Sequence, residues 1–185
     1  NDNLVLKAAD LLKKRTDCNK GVEISLRKHI PLQKGLGGGS SDAAATLIGL
    51  NKLWDLGLTH TELLNISLEL GSDVPFFIFG RSAWAEGRGE ILSEVDFNEE
   101  WYLLYMPKAQ ISTKKAFENL SSNFSKPYTY EEYFSKGGFN SFEKWARESY
   151  KEIDEIFIKL ENIGTPRLSG TGSSVFVSFG KLEEA

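Results

Sequence analysis

Pro31-Leu32-Gln33-Lys34-Gly35-Leu36-Gly37-Gly38-Gly39-Ser40-Ser41-Asp42-Ala43-Ala44-Ala45 is the stretch whose reading decides the fold. Four of the five positions from 35 to 39 are glycine, so few side chains hold backbone N–H groups away from a ligand. Two hydroxyls follow, Ser40 and Ser41, and then an alanine-rich stretch. In it Leu47, Leu50, Leu53 and Trp54 fall at the i, i+3, i+4 spacing of one buried helix face. The loop therefore empties into a helix N-terminus, where unpaired N–H groups and the positive end of the helix dipole favour an anion. Ser40 or Ser41 is expected to be the N-cap. A flexible linker would sit in polar, low-complexity sequence, whereas here an apolar segment precedes and an amphipathic helix follows. The reading is a phosphate cradle. No Lys-Ser or Lys-Thr follows the last glycine, so this is not a Walker A loop, and the glycine spacing is not that of the Rossmann fingerprint.

Working outward, residues 3–15 read as a helix and 21–28 alternate like a half-buried strand. Thr59 and Glu62 are placed as a capping box for a helix that ends at Gly71. Residues 76–79 and 83–85 read as short strands. Residues 101–106 form another strand, stopped by Pro107, followed by a helix over 113–120. The polar and aromatic stretch 121–140 is a surface excursion. Residues 142–162 read as one long amphipathic helix carrying Trp145, Tyr150, Ile153, Ile156, Phe157 and Leu160, and the chain closes on the strand 175–179. Trp84, Trp101 and Trp145 are expected in the core. Strands and helices joined by glycine turns make the fold class α+β.

The bulk properties exclude several classes. At 185 residues the chain buries a substantial core. A net charge of −4 argues against nucleic-acid binding, which normally uses a basic face. No apolar run is long enough to span a membrane and no signal-peptide pattern is present, so the expected location is cytoplasmic. Cys18 is the single cysteine, which excludes an intrachain disulfide and a thiolate zinc site. His29 and His60 lie far apart, without metal-ligand spacing.

The glycine-rich segment resembles the phosphate-binding motif of the GHMP kinases, the superfamily of galactokinase, homoserine kinase and mevalonate kinase. Its triple glycine is most similar to one branch, the diphosphocytidyl-methylerythritol kinases of the non-mevalonate isoprenoid (terpenoid) pathway. Leu70-Gly71-Ser72-Asp73-Val74-Pro75-Phe76-Phe77 resembles the second motif of that branch. Ala85-Glu86-Gly87-Arg88-Gly89-Glu90 resembles the strand and turn after it. Arg167-Leu168-Ser169-Gly170-Thr171-Gly172-Ser173-Ser174-Val175-Phe176 resembles the third, glycine-rich motif. The motifs stand in the family's order over residues 21–179.

The resemblance implies an ATP-dependent transferase with the two-lobed GHMP fold: an N-terminal, ATP-binding lobe of the ribosomal-protein type over 1–95 and a ferredoxin-like, substrate-side lobe over 96–185. It implies that Pro31, Leu32, Gln33, Lys34, Gly35, Leu36, Gly37, Gly38, Gly39, Ser40 and Ser41 bind the nucleotide, mainly through backbone N–H groups. Asp73 is implied as the catalytic residue beside the acceptor hydroxyl; read alone, it is a turn residue or N-cap. Thr113 and Phe117 are implied as contacts to the cytidine end of a cytidine-diphosphate sugar-alcohol substrate. Without the resemblance, Thr113 is a helix N-cap and Phe117 a core residue. Magnesium enters with ATP and leaves little sequence trace, so no protein metal ligand is assigned. Asp42 adds a negative charge near the expected phosphates. A monomer or weak dimer is expected. The family begins with a strand and hairpin that carry an active-site lysine, and it continues into a final helix and strand, so this chain is expected to be an internal fragment.

Overall fold

The computed structural model describes residues 3–120, 128–135 and 138–184. The chain folds into two compact units, one made of Asn1–His29 and Gly37–Phe97 and the other of Ile30–Leu36 and Asn98–Ala185. Each is α+β in content.

The first unit is led by helix α1 (Leu4–Thr16). The Asn3 side chain caps it by accepting a bond from the Val5 amide at 2.9 Å, while Lys13, Lys14 and Arg15 offset the dipole in its last turn. Val5, Ala8, Ala9 and Leu12 are its buried stripe. It packs on α2 (Gly38–Leu53), whose inner face is Ala43, Ala44, Leu47 and Leu50. Trp54 is buried just past the helix end, but Leu53 is 64% exposed, contrary to its expected place on the buried face. Helix α3 (His60–Ser67) starts at the capping box expected of Thr59 and Glu62, and adds Leu63 to the core.

Residues 74–79, expected to include a strand, form helix α4 (Val74–Phe79). Pro75 sits in its first turn, where a fixed φ and a missing N–H favour a helix start, and Val74 and Ile78 turn into the core on one face. Strands β1 (Ala83–Glu86) and β2 (Ile91–Glu94) make an antiparallel hairpin with Ala83 opposite Glu94. The strand expected over 21–28 is absent. Its segment has no regular secondary structure and makes no ladder among the described residues; Val22 and Leu26 are exposed, and Ile24 alone packs against the core.

In the second unit β3 (Trp101–Tyr105), β5 (Val175–Phe179) and β4 (Arg167–Leu168) form an antiparallel sheet in the order β3-β5-β4. Leu103 pairs with Val177 and Leu168 with Val175. Trp101, expected in the core, is 49% exposed because it lies on the outer strand. The helices are α5 (Thr113–Glu118), α6 (Tyr130–Ser135), α7 (Glu143–Ser149) and α8 (Lys151–Leu160). Of the excursion expected over 121–140, residues 121–127 and 136–137 lie outside the described residues.

The single helix expected over 142–162 is two. Tyr150 takes an extended conformation, φ −132° and ψ 95°, and caps both. Its ring packs edge-on to Trp145 at 5.7 Å and lies 5.6 Å from the Lys115 ammonium, contacts that fix the break from the side-chain level. Ile153, Ile156, Phe157 and Leu160 of α8 then close the core against Val175 and Val177.

Candidate active site

The glycine-rich loop carries left-handed backbone at Gln33 (φ 58°), Gly35 (φ 67°) and Gly37 (φ 64°). Such alternation turns neighbouring N–H groups toward one side. Gly37, not Ser40 or Ser41, is the N-cap of α2, so the expected serine caps are corrected: both hydroxyls lie inside the first turn. No side chain caps this end, which leaves the first-turn amides of Gly38, Gly39 and Ser40 without an intrahelical acceptor. Asp42 does not present a bare charge; its Oδ2 receives the Lys28 ammonium at 2.5 Å.

Asp73 stands at the head of α4, exposed, and its carboxylate makes no capping bond to the helix. Two close approaches fix it. A Cβ on Gly89 would lie 2.8 Å from the Ser72 carbonyl oxygen, so the hairpin turn presses on the residue just before Asp73. A Cβ on Gly37 would lie 2.5 Å from Cζ of Phe77, so α4 packs directly on the start of α2. Phe77 is four residues beyond Asp73, which puts Asp73 about 6 Å along the α4 axis from that contact. The first unit therefore gathers Gly37, Gly38, Gly39, Ser40, Ser41 and Asp73 into one neighbourhood.

The second unit holds the other expected residues. Pro31, Leu32 and Gln33 are exposed, Leu32 at 67%. Gly35 is clasped by the 169–174 turn: Ser169 Oγ donates to the Gly35 carbonyl at 2.8 Å, and the Ser174 amide donates to the Lys34 carbonyl at 3.2 Å. Thr113 is the first residue of α5, after an N-cap at Ser112, so it is exposed rather than a cap. Phe117, one turn on and on the same face, is 60% exposed with its ring edge-on to Phe142 at 5.0 Å, so it is not core.

Lys34 departs most from expectation. Its side chain is 7% exposed, and its ammonium donates to the carbonyls of Pro107 at 2.5 Å and Ala109 at 2.7 Å. Glu152 grips the other side of the same segment, accepting the Lys108 and Ala109 amides at 2.8 and 3.0 Å. These amide bonds, with the Lys34 charge adding to them, hold the Glu152 carboxyl below its ordinary range. Sequence reasoning missed Glu152; it placed Ser173 in the third glycine-rich motif but not its bond to this segment, where Ser173 Oγ donates to Ala109 O at 2.5 Å. Glu152 carries no local signal. Among the described residues no group of His, Cys, Asp and Glu is placed to hold a metal ion, and no helix is long and apolar enough to cross a membrane.

Residues 3–81 match the family model described as the GHMP kinases N terminal domain. The chain is similar to a crystal structure of 4-(cytidine 5'-diphospho)-2C-methyl-D-erythritol kinase, with TM-score 0.82 and 30% identity over 99% of this chain and 71% of that one. The chain belongs to the GHMP kinases. Among GHMP kinase relatives, the 4-diphosphocytidyl-2-C-methyl-D-erythritol kinase of Nitrosococcus oceani is 44% identical over 99% of this chain. The chain spans 66% of that relative's length, just under two thirds. Homoserine kinase from Cytophaga hutchinsonii, at 17% identity and TM-score 0.76 over 99% of this chain and 68% of its own, shares the GHMP kinase fold.

Proposed function

We propose that the protein is an ATP-dependent kinase that phosphorylates the 2-hydroxyl of 4-diphosphocytidyl-2-C-methyl-D-erythritol in isoprenoid precursor synthesis, as a cytoplasmic monomer or weak dimer. The observation that carries this is the uncapped α2 N-terminus at the end of the glycine loop, with the exposed Asp73 one helical turn from its Gly37–Phe77 contact. The 44% identity to a kinase named for that substrate supports the choice of acceptor.

The loop amides, with the Ser40 and Ser41 hydroxyls, would bind the nucleotide phosphates. Phosphoryl transfer passes through a loose transition state, so the acceptor alcohol need not be deprotonated early. Asp73 would orient that hydroxyl and take its proton as the new O–P bond forms and the bond from the γ-phosphorus to the β,γ-bridging oxygen breaks, releasing ADP. Magnesium, bound with ATP, would supply charge neutralisation on the phosphates. The donors this chain could offer it are the two serine hydroxyls, which suit a hard cation. Thr113 would hydrogen-bond the cytosine end, and Phe117, with its exposed ring, would stack on the base.

The test is transfer of labelled γ-phosphate from ATP to the cytidine substrate, with homoserine and mevalonate as control acceptors, and Asp73→Asn alongside. Selective labelling of the cytidine substrate is expected. Asp73→Asn should lose transfer while ATP binding changes little. Near-normal turnover in that variant removes Asp73 from the mechanism, and labelling of a control acceptor instead overturns the substrate assignment.

A further inference from the structure

A lysine inside a phosphate-binding loop would ordinarily be read as a phosphate ligand. Lys34 is not free for that role, because its ammonium is turned inward to a cage of three main-chain oxygens and the Ser173 hydroxyl. Pro107 O lies at 2.5 Å, Ala109 O at 2.7 Å, Lys108 O at 3.4 Å and Ser173 Oγ at 3.4 Å. A buried ammonium persists only where such acceptors replace its water. The loop backbone is tied down independently, by Ser174 N–H to Lys34 O and Ser169 Oγ to Gly35 O. What depends on the ammonium is therefore the other party, segment 107–109. That segment is held between Lys34, joined at Ala109 by the Ser173 hydroxyl, on its carbonyls and Glu152 on its amides. Four residues after Ala109 comes Thr113, and four more bring Phe117, with Ile111 between them and Ala109 fixed in the core at 1% exposure. The path from the clamp to the start of α5 is thus short and anchored.

We propose that Lys34 is a positioning residue for the acceptor rather than a nucleotide ligand: it and Glu152 clamp residues 107–109, and so set where Thr113 and Phe117 present themselves to the cytidine end of the substrate. This rests on the kinase reading above. The functional consequence is a separation of effects. Loss of the ammonium acts on the acceptor side, although the residue lies in the glycine-rich loop of the nucleotide.

The experiment compares Lys34→Met and Glu152→Ala with wild type in the full chain, by two readouts. The first, amide hydrogen exchange without ligands, should show Lys108 and Ala109 exchanging about tenfold faster or more in both variants, with Leu47 and Leu50 of α2 unchanged. The second, steady-state kinetics, should show KM for the cytidine substrate raised about tenfold, with KM for ATP within about twofold of wild type. Unchanged exchange at residues 108 and 109 overturns the clamp. Faster exchange with an unchanged acceptor KM, or with ATP KM moved as much as acceptor KM, overturns the positioning role. If Lys34→Met does not fold, Glu152→Ala decides, because that side chain is only half-buried at the rim of the same segment. Absence of transfer by wild type would instead defeat the kinase reading, and the exchange data would still decide the clamp.

Discussion

Gly35→Ala should be the most damaging methyl group that can be added to the glycine loop. At Gly35 the backbone is left-handed, φ 67°, and a Cβ would fall inside van der Waals contact of the Ser169 carbonyl oxygen. It would also lie 2.9 Å from Gly172 O and 3.0 Å from Gly172 N. All three atoms are backbone, so no rotamer change relieves the clash. The left-handed conformation costs a non-glycine residue about 1–2 kcal/mol. Overpacking against rigid neighbours adds about 1–3 kcal/mol. The combined loss is then about 2–5 kcal/mol, and for a unit of about a hundred residues each 1 kcal/mol moves the melting temperature by ~4–8 °C. Thermal and urea unfolding of the variant should therefore show a drop of at least ~8 °C. Gly49→Ala is the internal control: Gly49 lies within α2 with nothing within 4 Å of its would-be Cβ, and should gain up to about 1 kcal/mol. If Gly35→Ala unfolds within about 1 kcal/mol of wild type, the clasp between residue 35 and the 169–174 turn is wrong.

Other substitutions separate folding from function. Gly39→Ala meets only Leu4 Cδ1, at an ordinary 3.5 Å, so stability should stay within about 0.5 kcal/mol while the ATP KM rises; an unchanged KM argues against phosphates at the α2 N-terminus. Phe117→Ala should weaken acceptor binding by ~1–3 kcal/mol through lost base stacking, seen in the acceptor KM, with a smaller change in melting temperature. Ser174→Ala removes a fully buried hydroxyl that has no partner among the described residues, and should leave stability unchanged or raise it by up to about 1 kcal/mol in urea unfolding. Glu152 has a folded-state pKa below its unfolded value of 4.5, because it accepts the Lys108 and Ala109 amides. Its contribution is therefore complete above pH 4.5 and is lost as the pH falls through the lower, folded value. Wild type should lose more stability on acidification below pH 4.5 than Glu152→Gln does, and equal losses would refute the assignment.

Local chemistry was legible and long-range chemistry was not. The capping box of Thr59 and Glu62 and the loop-to-helix passage at residues 35–41 depend on neighbours in sequence, so their patterns carry the answer. The run 74–79 is six apolar residues, too short for periodicity to tell strand from helix; Pro75 at its head was the usable signal for a helix. The break at Tyr150 has no proline or glycine to announce it, since it is set by packing on Trp145 and Lys115. Alternation over 21–28 was real but does not supply a partner strand. Lys34 sat in a motif whose neighbours are expected to bind phosphate, and its main-chain acceptors lie 73 to 75 residues away, beyond any local pattern.

The interleaving of the two units has a consequence for synthesis. Residues 30–36 leave the ribosome early, yet every partner that holds them arrives late: Pro107 is 73 residues on, Ser169 is 134 residues beyond Gly35, and Ser173 is 139 beyond Lys34. The elements of the first unit are complete once residue 97 has emerged, so they can form while the segment that belongs to the second unit waits as an unpartnered tether. Closing such long loops is slow more than it is unfavourable. A nascent chain arrested before residue 170 would carry the glycine-rich loop without its clasp, and a cut after Phe97 would strand Lys34 on the wrong fragment.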